Sequence, residues 1–293
     1  KMAVGALSLR RRAPGIRLRK TVAAIFRQAL LAALALVWLI PFIWLIITSL
    51  KPLEQVFTRP PKWIPEPILW SNYIEALTSP GFPFLKLLGN SLFYSGLSTI
   101  GVVLSCSLVA YGFARMRFWG RDIWFIVLLA TMMLPGVVTM IPTYVLFRLI
   151  GWVGGYAPLI VPSFTGSAFF IFMLRQFFLS LPWELTESAR VDGAGELTIF
   201  ARIMLPLIRP ALMVTVVFTF LGCWNDFMGP LIYLSDNNRF PLSLGLYAFQ
   251  TKYQREWNLM MAASLVVTIP MMIMFFAAQR QFIEGITITG LKM

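Results

Sequence analysis

The ionisable side chains of this 293-residue chain are few, at 13% Asp, Glu, Lys and Arg against 58% hydrophobic residues, and one internal stretch concentrates them. Residues 181–210, LPWELTESARVDGAGELTIFARIMLPLIRP, carry Glu184, Glu187, Arg190, Asp192, Glu196, Arg202 and Arg209. A second, smaller group is Trp224-Asn225-Asp226, where a carboxylate and an amide stand beside an indole inside an apolar run. The chain has no histidine, and Cys106 and Cys223 both lie in apolar runs, where cysteine behaves as a small hydrophobe. That inventory argues against a His-based active site, a metal site or a disulfide framework. No nucleophile–base pair is visible, and no G-x-x-x-x-G-K-[ST] phosphate loop exists to cradle a nucleotide.

The elements that present it follow from local chemistry. Pro182 suits a first helical turn, where its missing N–H costs nothing, and 183–191 contains no breaker. Asp192-Gly193 and Gly195 supply a turn, because glycine accepts backbone angles that other residues resist. A second helical pattern runs through Leu197, Phe200, Ala201 and Met204, and Pro206 is expected to stop it. The result is a short helix–turn–helix outside the bilayer, tied at both ends to apolar spans. An ordinary amphipathic loop is the simpler reading of the same pattern.

Composition places the rest of the chain in a membrane. A span needs about 20 apolar residues, and several uncharged runs reach that length. Six spans are expected, at about 29–50, 87–113, 123–147, 157–174, 210–226 and 257–278, which makes the fold an all-α membrane protein. The first run is too long for the core of a cleaved signal peptide and is read as an uncleaved span. The chain opens on Lys1 rather than Met, which reads as a trimmed or altered start. The second span carries Asn90, Ser91 and several further small residues, a composition that permits close helix packing. The third is interrupted at Leu134-Pro135-Gly136 and again at Pro142, where kinks are expected. Prolines at 52, 60, 61, 65, 67, 80 and 83 exclude a long helix from the first outer loop, 51–86. Asp226 falls in the fifth span. A charge at mid-bilayer costs about 2.5–3.5 kcal/mol, so it is expected to face the bundle interior.

The net charge of +13 does not indicate nucleic acid, because Lys and Arg sit in tails and loops beside the spans. With the amino terminus inside, 17 of the 25 basic residues fall on the inner side. The positive-inside bias then places both termini and residues 181–210 in the cytoplasm. The organisation expected is a basic cytoplasmic tail at 1–28, a six-span domain at 29–280 and a cytoplasmic tail at 281–293. The outer loops are 51–86 and 231–256, the latter with Asp236, Arg239, Tyr247, Lys252 and Arg255.

Particular words in the sequence resemble a known family. Glu187-Ser188-Ala189, Gly193 six positions after the glutamate, and Ile203-Met204-Leu205-Pro206 ten positions after the glycine resemble the EAA motif. That motif marks the membrane subunits of ATP-binding-cassette (ABC) importers. Ser188 stands where the usual residue is Ala, a departure that keeps the position small. The extended form through Asp192-Gly193-Ala194 is similar to the carbohydrate branch of the family. Ser49-Leu50-Lys51-Pro52, Tyr111-Gly112-Phe113-Ala114-Arg115, Trp224-Asn225-Asp226-Phe227 and Gln279-Arg280-Gln281-Phe282-Ile283 extend the likeness over nearly the whole chain.

The resemblance implies the type I ABC importer permease fold, with a cytoplasmic coupling helix. Glu187, Ser188, Ala189, Asp192, Gly193, Ala194, Ile203, Leu205 and Pro206 would engage a separate ATPase. ATP and Mg would be bound by that ATPase, and no cofactor by this chain. It further implies a second homologous permease, an ATPase dimer, an extracytoplasmic solute-binding protein and a bacterial inner-membrane location. The solute would be a sugar or oligosaccharide, with acidic fragments such as alginate among the candidates. Trp224, Asn225 and Asp226 would then line or support the pathway, since planar amides, carboxylates and aromatic faces suit sugars. A structural reading stands beside it: Asp226 caps a broken helix or bonds a neighbouring span, and Trp224 sits at the membrane interface. The outer loop 231–256 would face the binding protein. An ion-coupled secondary transporter is the alternative, disfavoured because Asp226 is the only carboxylate in an expected span.

Overall fold

The structure is a computed structural model and describes residues 14–251 and 256–290, all of whose regular elements are helices. In chain order these are α1 (Pro14–Ser49), α2 (Ser71–Thr78), α3 (Phe84–Arg115), α4 (Arg121–Thr131), α5 (Gly136–Leu149), α6 (Ala157–Ile160), α7 (Ala168–Ser180) and α8 (Glu184–Val191). They continue as α9 (Glu196–Thr198), α10 (Leu205–Leu207), α11 (Arg209–Trp224), α12 (Met228–Tyr233), α13 (Leu242–Gly245), α14 (Ala248–Thr251) and α15 (Trp257–Gly290). Four helices are long and apolar enough to cross a membrane, or six if each of two bent pairs counts as one span. The four are Val22–Ser49, Phe84–Arg115, Ala157–Ser180 and Trp257–Gln279.

The bent pairs show what proline does to a span. α4 and α5 meet at 98° around Pro135, whose ring fixes φ at −62° and whose backbone is extended. A proline also pushes its predecessor out of helical geometry, so the helix ends before it and restarts at Gly136. The kink expected in the third span is thus a full break. The fourth span is also interrupted, by a one-turn 3-10 segment, Val161–Thr165, between α6 and α7.

α3 is the hub. It packs against α7, α11, α6, α13 and the Val161–Thr165 turn, while α1 packs on α15. Its buried positions include Ser91, Ser95, Ser98, Gly101, Cys106, Ser107 and Ala110, the small residues that allow helices to approach closely. Gly101 needs to be small for a specific reason: a Cβ there would lie 2.8 Å from the Phe164 ring.

Two buried clusters sit at opposite ends of this hub. The inner one joins Val102, Cys106, Ala110, Tyr111 and Ala114 of α3 to Ile171, Leu174 and Phe178 of α7, with Ala189, Ile199, Phe200 and Met204 from the charged stretch. The outer one joins Leu87 to Ala76, Phe82, Phe220, Trp224, Leu242, Phe249 and the α15 residues Leu259, Ala262, Ala263 and Val267. Loop 51–86 is tied to the end of α1 by Asn72, whose Nδ2 donates to the carbonyls of Ser49 (2.8 Å) and Lys51 (3.0 Å). Lys51, counted as a loop charge, is buried with its ammonium 4.1 Å over the Trp44 ring.

Two expectations are corrected. Pro206 does not stop the second arm of the charged stretch. A π-helical segment, Ile199–Met204, precedes it, and the change of register makes Pro206 an early residue of a new α turn, where a missing N–H costs nothing. The break falls instead at Ile208, with φ −97° and ψ 15°, and the chain turns 81° into α11. Asp226 is not inside the fifth span either, since α11 ends at Trp224 and Asp226 lies in the gap before α12.

Candidate coupling site and transport corner

The charged stretch forms a hairpin whose first arm is α8 and whose second arm is α9, the π-helical segment and α10. α8 runs from Glu184 to Val191, and its carboxyl end closes through N–H groups of Asp192 to Ser188 O (3.0 Å), Gly193 to Arg190 O (3.0 Å) and Ala194 to Ala189 O (2.9 Å). Gly193 has φ +81°, the left-handed region that glycine enters without penalty, with no atom within 4 Å of where a Cβ would stand. Amphipathicity then sorts the site residues. Thr186 and Ala189 turn into the inner cluster, while Glu187, Ser188, Asp192, Gly193 and Pro206 are exposed. Ala194, Ile203 and Leu205 are half-buried against that cluster. The exposed ridge is not purely polar: Val191 is 87% and Leu197 75% exposed.

Four side chains hold this hairpin, Arg190 and Glu196 within it and Tyr111 and Arg115 from α3. Glu196 accepts from Arg190 Nε at 2.8 Å and Nη2 at 2.7 Å on Oε1, and from the Tyr111 hydroxyl at 2.7 Å on Oε2. Burial by itself would raise the Glu196 carboxyl, but the hydrogen bonds from Tyr111 and Arg190 and the Arg190 charge outweigh it and hold it below the usual range. Arg115 is 2% exposed and donates to the carbonyls of Phe178, Leu181 (2.7 Å) and Pro182 (3.4 Å). Its guanidinium carbon lies 4.9 Å from the centroid of the Trp183 ring. In the sequence Arg115 closes the family-like word Tyr111-Gly112-Phe113-Ala114-Arg115, but nothing local shows which carbonyls it reaches.

At the far end of α11 the three expected pathway residues do different things. Trp224 is 1% exposed, stacks on Phe220 with centroids 5.3 Å apart and donates from Nε1 to Val267 O at 3.3 Å. It is a core residue here, neither an open aromatic face nor an interface anchor. Asn225 is exposed, and its Nδ2 donates to Leu221 O at 2.9 Å. Asp226 accepts from the Tyr94 hydroxyl at 2.7 Å and from Gly229 N at 3.0 Å, while its carbonyl accepts from Ser243 Oγ at 2.6 Å. That is the geometry of a carboxylate fixing a corner between two helices.

The described part of loop 231–256 is held by side-chain and backbone bonds. Asp236 Oδ1 accepts from Asn238 N at 2.9 Å, and Arg239 Nη1 donates to Gly154 O at 3.1 Å. The Tyr156 hydroxyl donates to Arg239 O at 2.6 Å, and Tyr247 packs edge-on to Phe227. Lys252 and Arg255 lie outside the described residues.

A family model described as "Binding-protein-dependent transport system inner membrane component" matches residues 98–287, from the middle of α3 into α15. The chain belongs to that family. As an inner membrane component it is similar along most of its length to curated relatives. The arabinooligosaccharides transport system permease protein of Halalkalibacterium halodurans is 32% identical over 89% of this chain and 94% of its own. The trehalose/maltose transport system permease protein of Thermococcus litoralis is 31% identical over 88% and 93%. Among solved structures, a chain of a bacterial ABC transporter involved in the import of the acidic polysaccharide alginate superposes with a TM-score of 0.76. That match is 23% identical and covers 92% of this chain and 99% of the other, so this permease has the fold of an ABC importer subunit.

Proposed function

We propose that this permease carries a sugar or oligosaccharide across the cytoplasmic membrane and is driven by a separate ATPase that docks on residues 181–210. The observation that carries the docking assignment is the division of the hairpin into two faces. One face, through Thr186, Ala189, Ile199, Phe200 and Met204, is locked into the inner cluster. The other offers Glu187, Ser188, Asp192 and Gly193 together with the bare aliphatic groups of Val191 and Leu197. Exposed apolar groups beside an acid suit insertion into a protein cleft with a basic partner. The sugar assignment is supported by the relatives, which serve arabino-oligosaccharides and trehalose or maltose.

In this reading both termini and the hairpin lie in the cytoplasm, and loops 51–86 and 231–256 face outward. ATP and Mg belong to the ATPase dimer, and a second permease completes the pathway. A solute-binding protein meets the outer loop at Asp236, Arg239 and Tyr247. Asn225 is the pathway group offered to solute, with Trp224 and Asp226 supporting the wall behind it. Glu187→Lys tests the docking face. Co-purification of the ATPase with the assembled membrane subunits is expected to fall about tenfold, because an interfacial charge is reversed. ATPase retained at the normal ratio, with normal uptake, overturns the assignment.

A further inference from the structure

α3 is a single unbroken helix of 32 residues, about 48 Å long, with side-chain ties at both ends. At its inner end Tyr111 and Arg115 are one turn apart on the same face, and both are buried. Each holds a different part of the hairpin. Arg115 gathers carbonyls from the end of α7 and the lead into α8, and Tyr111 reaches Glu196 on the second arm. Glu196 in turn pairs with Arg190 of α8, so the two arms are joined to each other and to α3. At its outer end Tyr94 holds Asp226, and Asn90 Nδ2 donates to the carbonyls of Asn238 and Phe240, both at 2.9 Å. Ser91 Oγ accepts from Leu242 N at 2.7 Å.

The chemistry of the Arg115 joint makes it sensitive to geometry. Among the described residues no carboxylate lies within ion-pair distance of Arg115. Its charge faces the carbonyls of Phe178, Leu181 and Pro182, the Trp183 ring and, at longer range, the Glu184 carboxylate. These groups converge on one point, so a displacement of the α7 end or of the lead into α8 from α3 would strand a buried cation. α3 and the hairpin are therefore bound to move together.

We infer that α3 is the strut that carries movement of the hairpin to the transport corner and the outer loop, with Arg115 and Tyr111 as the positioning residues at its inner joint. This rests on the hairpin being the ATPase docking element. The test uses the complete transporter in vesicles, with ATPase, second permease and binding protein, and reads solute taken up per ATP hydrolysed. Arg115→Gln, which keeps one amide donor but no charge, is expected to lower that ratio about tenfold while the ATPase still co-purifies. Arg115→Lys keeps the charge but not the fork, and Tyr111→Phe removes only a hydroxyl; each is expected to lower the ratio about threefold.

A spectroscopic arm separates strut from mere packing. Spin labels on Ala201 and Leu85, both exposed and outside the docking face, report on the hairpin and the outer end of α3. Their distance is expected to stay fixed through the nucleotide cycle in the parent protein and to spread in Arg115→Gln. A distance that changes with nucleotide in the parent, or unchanged uptake per ATP in both Tyr111→Phe and an assembled Arg115→Gln, overturns the proposal. If Arg115→Gln does not assemble, Tyr111→Phe and the parent distance decide. Failure of the docking assignment looks different: Glu187→Lys would then keep its ATPase, whatever the strut does.

Discussion

The two ends of α3 solve the same problem with different chemistry. Both must hold an extramembrane segment against a helix that is otherwise packed on apolar neighbours. The inner end does it with ionised groups, a buried guanidinium on three carbonyls and a carboxylate shared between Tyr111 and Arg190. The outer end does it chiefly with amides and hydroxyls: Asn90 and Ser91 on the backbone of 238–242, and Tyr94 on Asp226. Charge-assisted bonds are shorter and roughly twice as strong as neutral ones, and they fix direction as well as distance. Neutral ties spread over several residues hold a surface in place while each can be exchanged singly. A stiff inner joint and a distributed outer one suit a helix that takes its input at one end and shapes a surface at the other.

The contrast is sharpened most strongly by removing the core beneath the outer end. Trp224 is the largest fully buried side chain there, and Trp224→Ala is expected to cost about 3–5 kcal/mol through lost burial and the cavity left behind. Thermal unfolding in detergent measures the loss. Hydrogen exchange along 184–204 should stay close to that of the parent, because the hairpin is bonded to the inner cluster. If exchange there rises as much as in α12 and α13, the two clusters are one cooperative unit and the division between the ends disappears.

A smaller effect is expected at the corner itself. Asp226→Ala leaves the buried Tyr94 hydroxyl without its acceptor and removes the side chain that receives Gly229 N, a loss of about 2–3 kcal/mol. Asp226→Asn retains an acceptor oxygen and should cost about 1 kcal/mol. Combining each with Tyr94→Phe in a double-mutant cycle isolates the bond. If Asp226→Asn shifts solute preference in assembled transporter without lowering stability, the carboxylate works on the solute rather than on the corner.

Parts of this arrangement were legible from residue order and parts were not. α1, α3 and α15 follow from uncharged runs of the right length, and α8 follows from a stretch without breakers closed by Asp192-Gly193. The break at Pro135 was visible as a proline, though not its 98° angle, which depends on how α4 and α5 pack. Pro206 misled because a π segment resets the register before it, and no local composition announces that. Trp224-Asn225-Asp226 carried the right polarity but the wrong place. Asn and Asp compete with helical hydrogen bonding, and here they end α11 instead of lying in it. Arg115 stood out only as the end of a family-like word, and its role was not legible because it comes from carbonyls 63 to 67 residues away.

The smallest effect expected is a pH dependence confined to the inner joint. Glu196 is the only titrating group in the chain of bonds from Tyr111 to Arg190 whose charge changes on the acid side of neutral. Burial pushes its carboxyl up, but the bonds from Tyr111 and Arg190 and the Arg190 charge push it further down, so its folded value lies below the ordinary 4.5. A depressed carboxylate stabilises the folded joint fully above its unfolded value, and that contribution is lost as pH falls through the lower, folded one. Neutral pH therefore leaves the joint intact, and loosening begins only below about pH 4.5. The side chain is 38% exposed and solvent screens it, so the change should be modest. Hydrogen exchange at Ile199–Met204, corrected for intrinsic rates, should rise between pH 6 and pH 4 in the parent by about twofold. Glu196→Gln keeps an acceptor for Tyr111 and has nothing to titrate, so its corrected exchange should be flat over the same interval. Asn90 and Ser91, which tie 238–242 to α3, have nothing to titrate, so exchange at Leu242–Gly245 should show no step in either protein. A step of equal size at Leu242–Gly245 would mean that the two ends share one titration, and the distinction between a salt-bridged inner joint and an outer one held chiefly by amides and hydroxyls would fail.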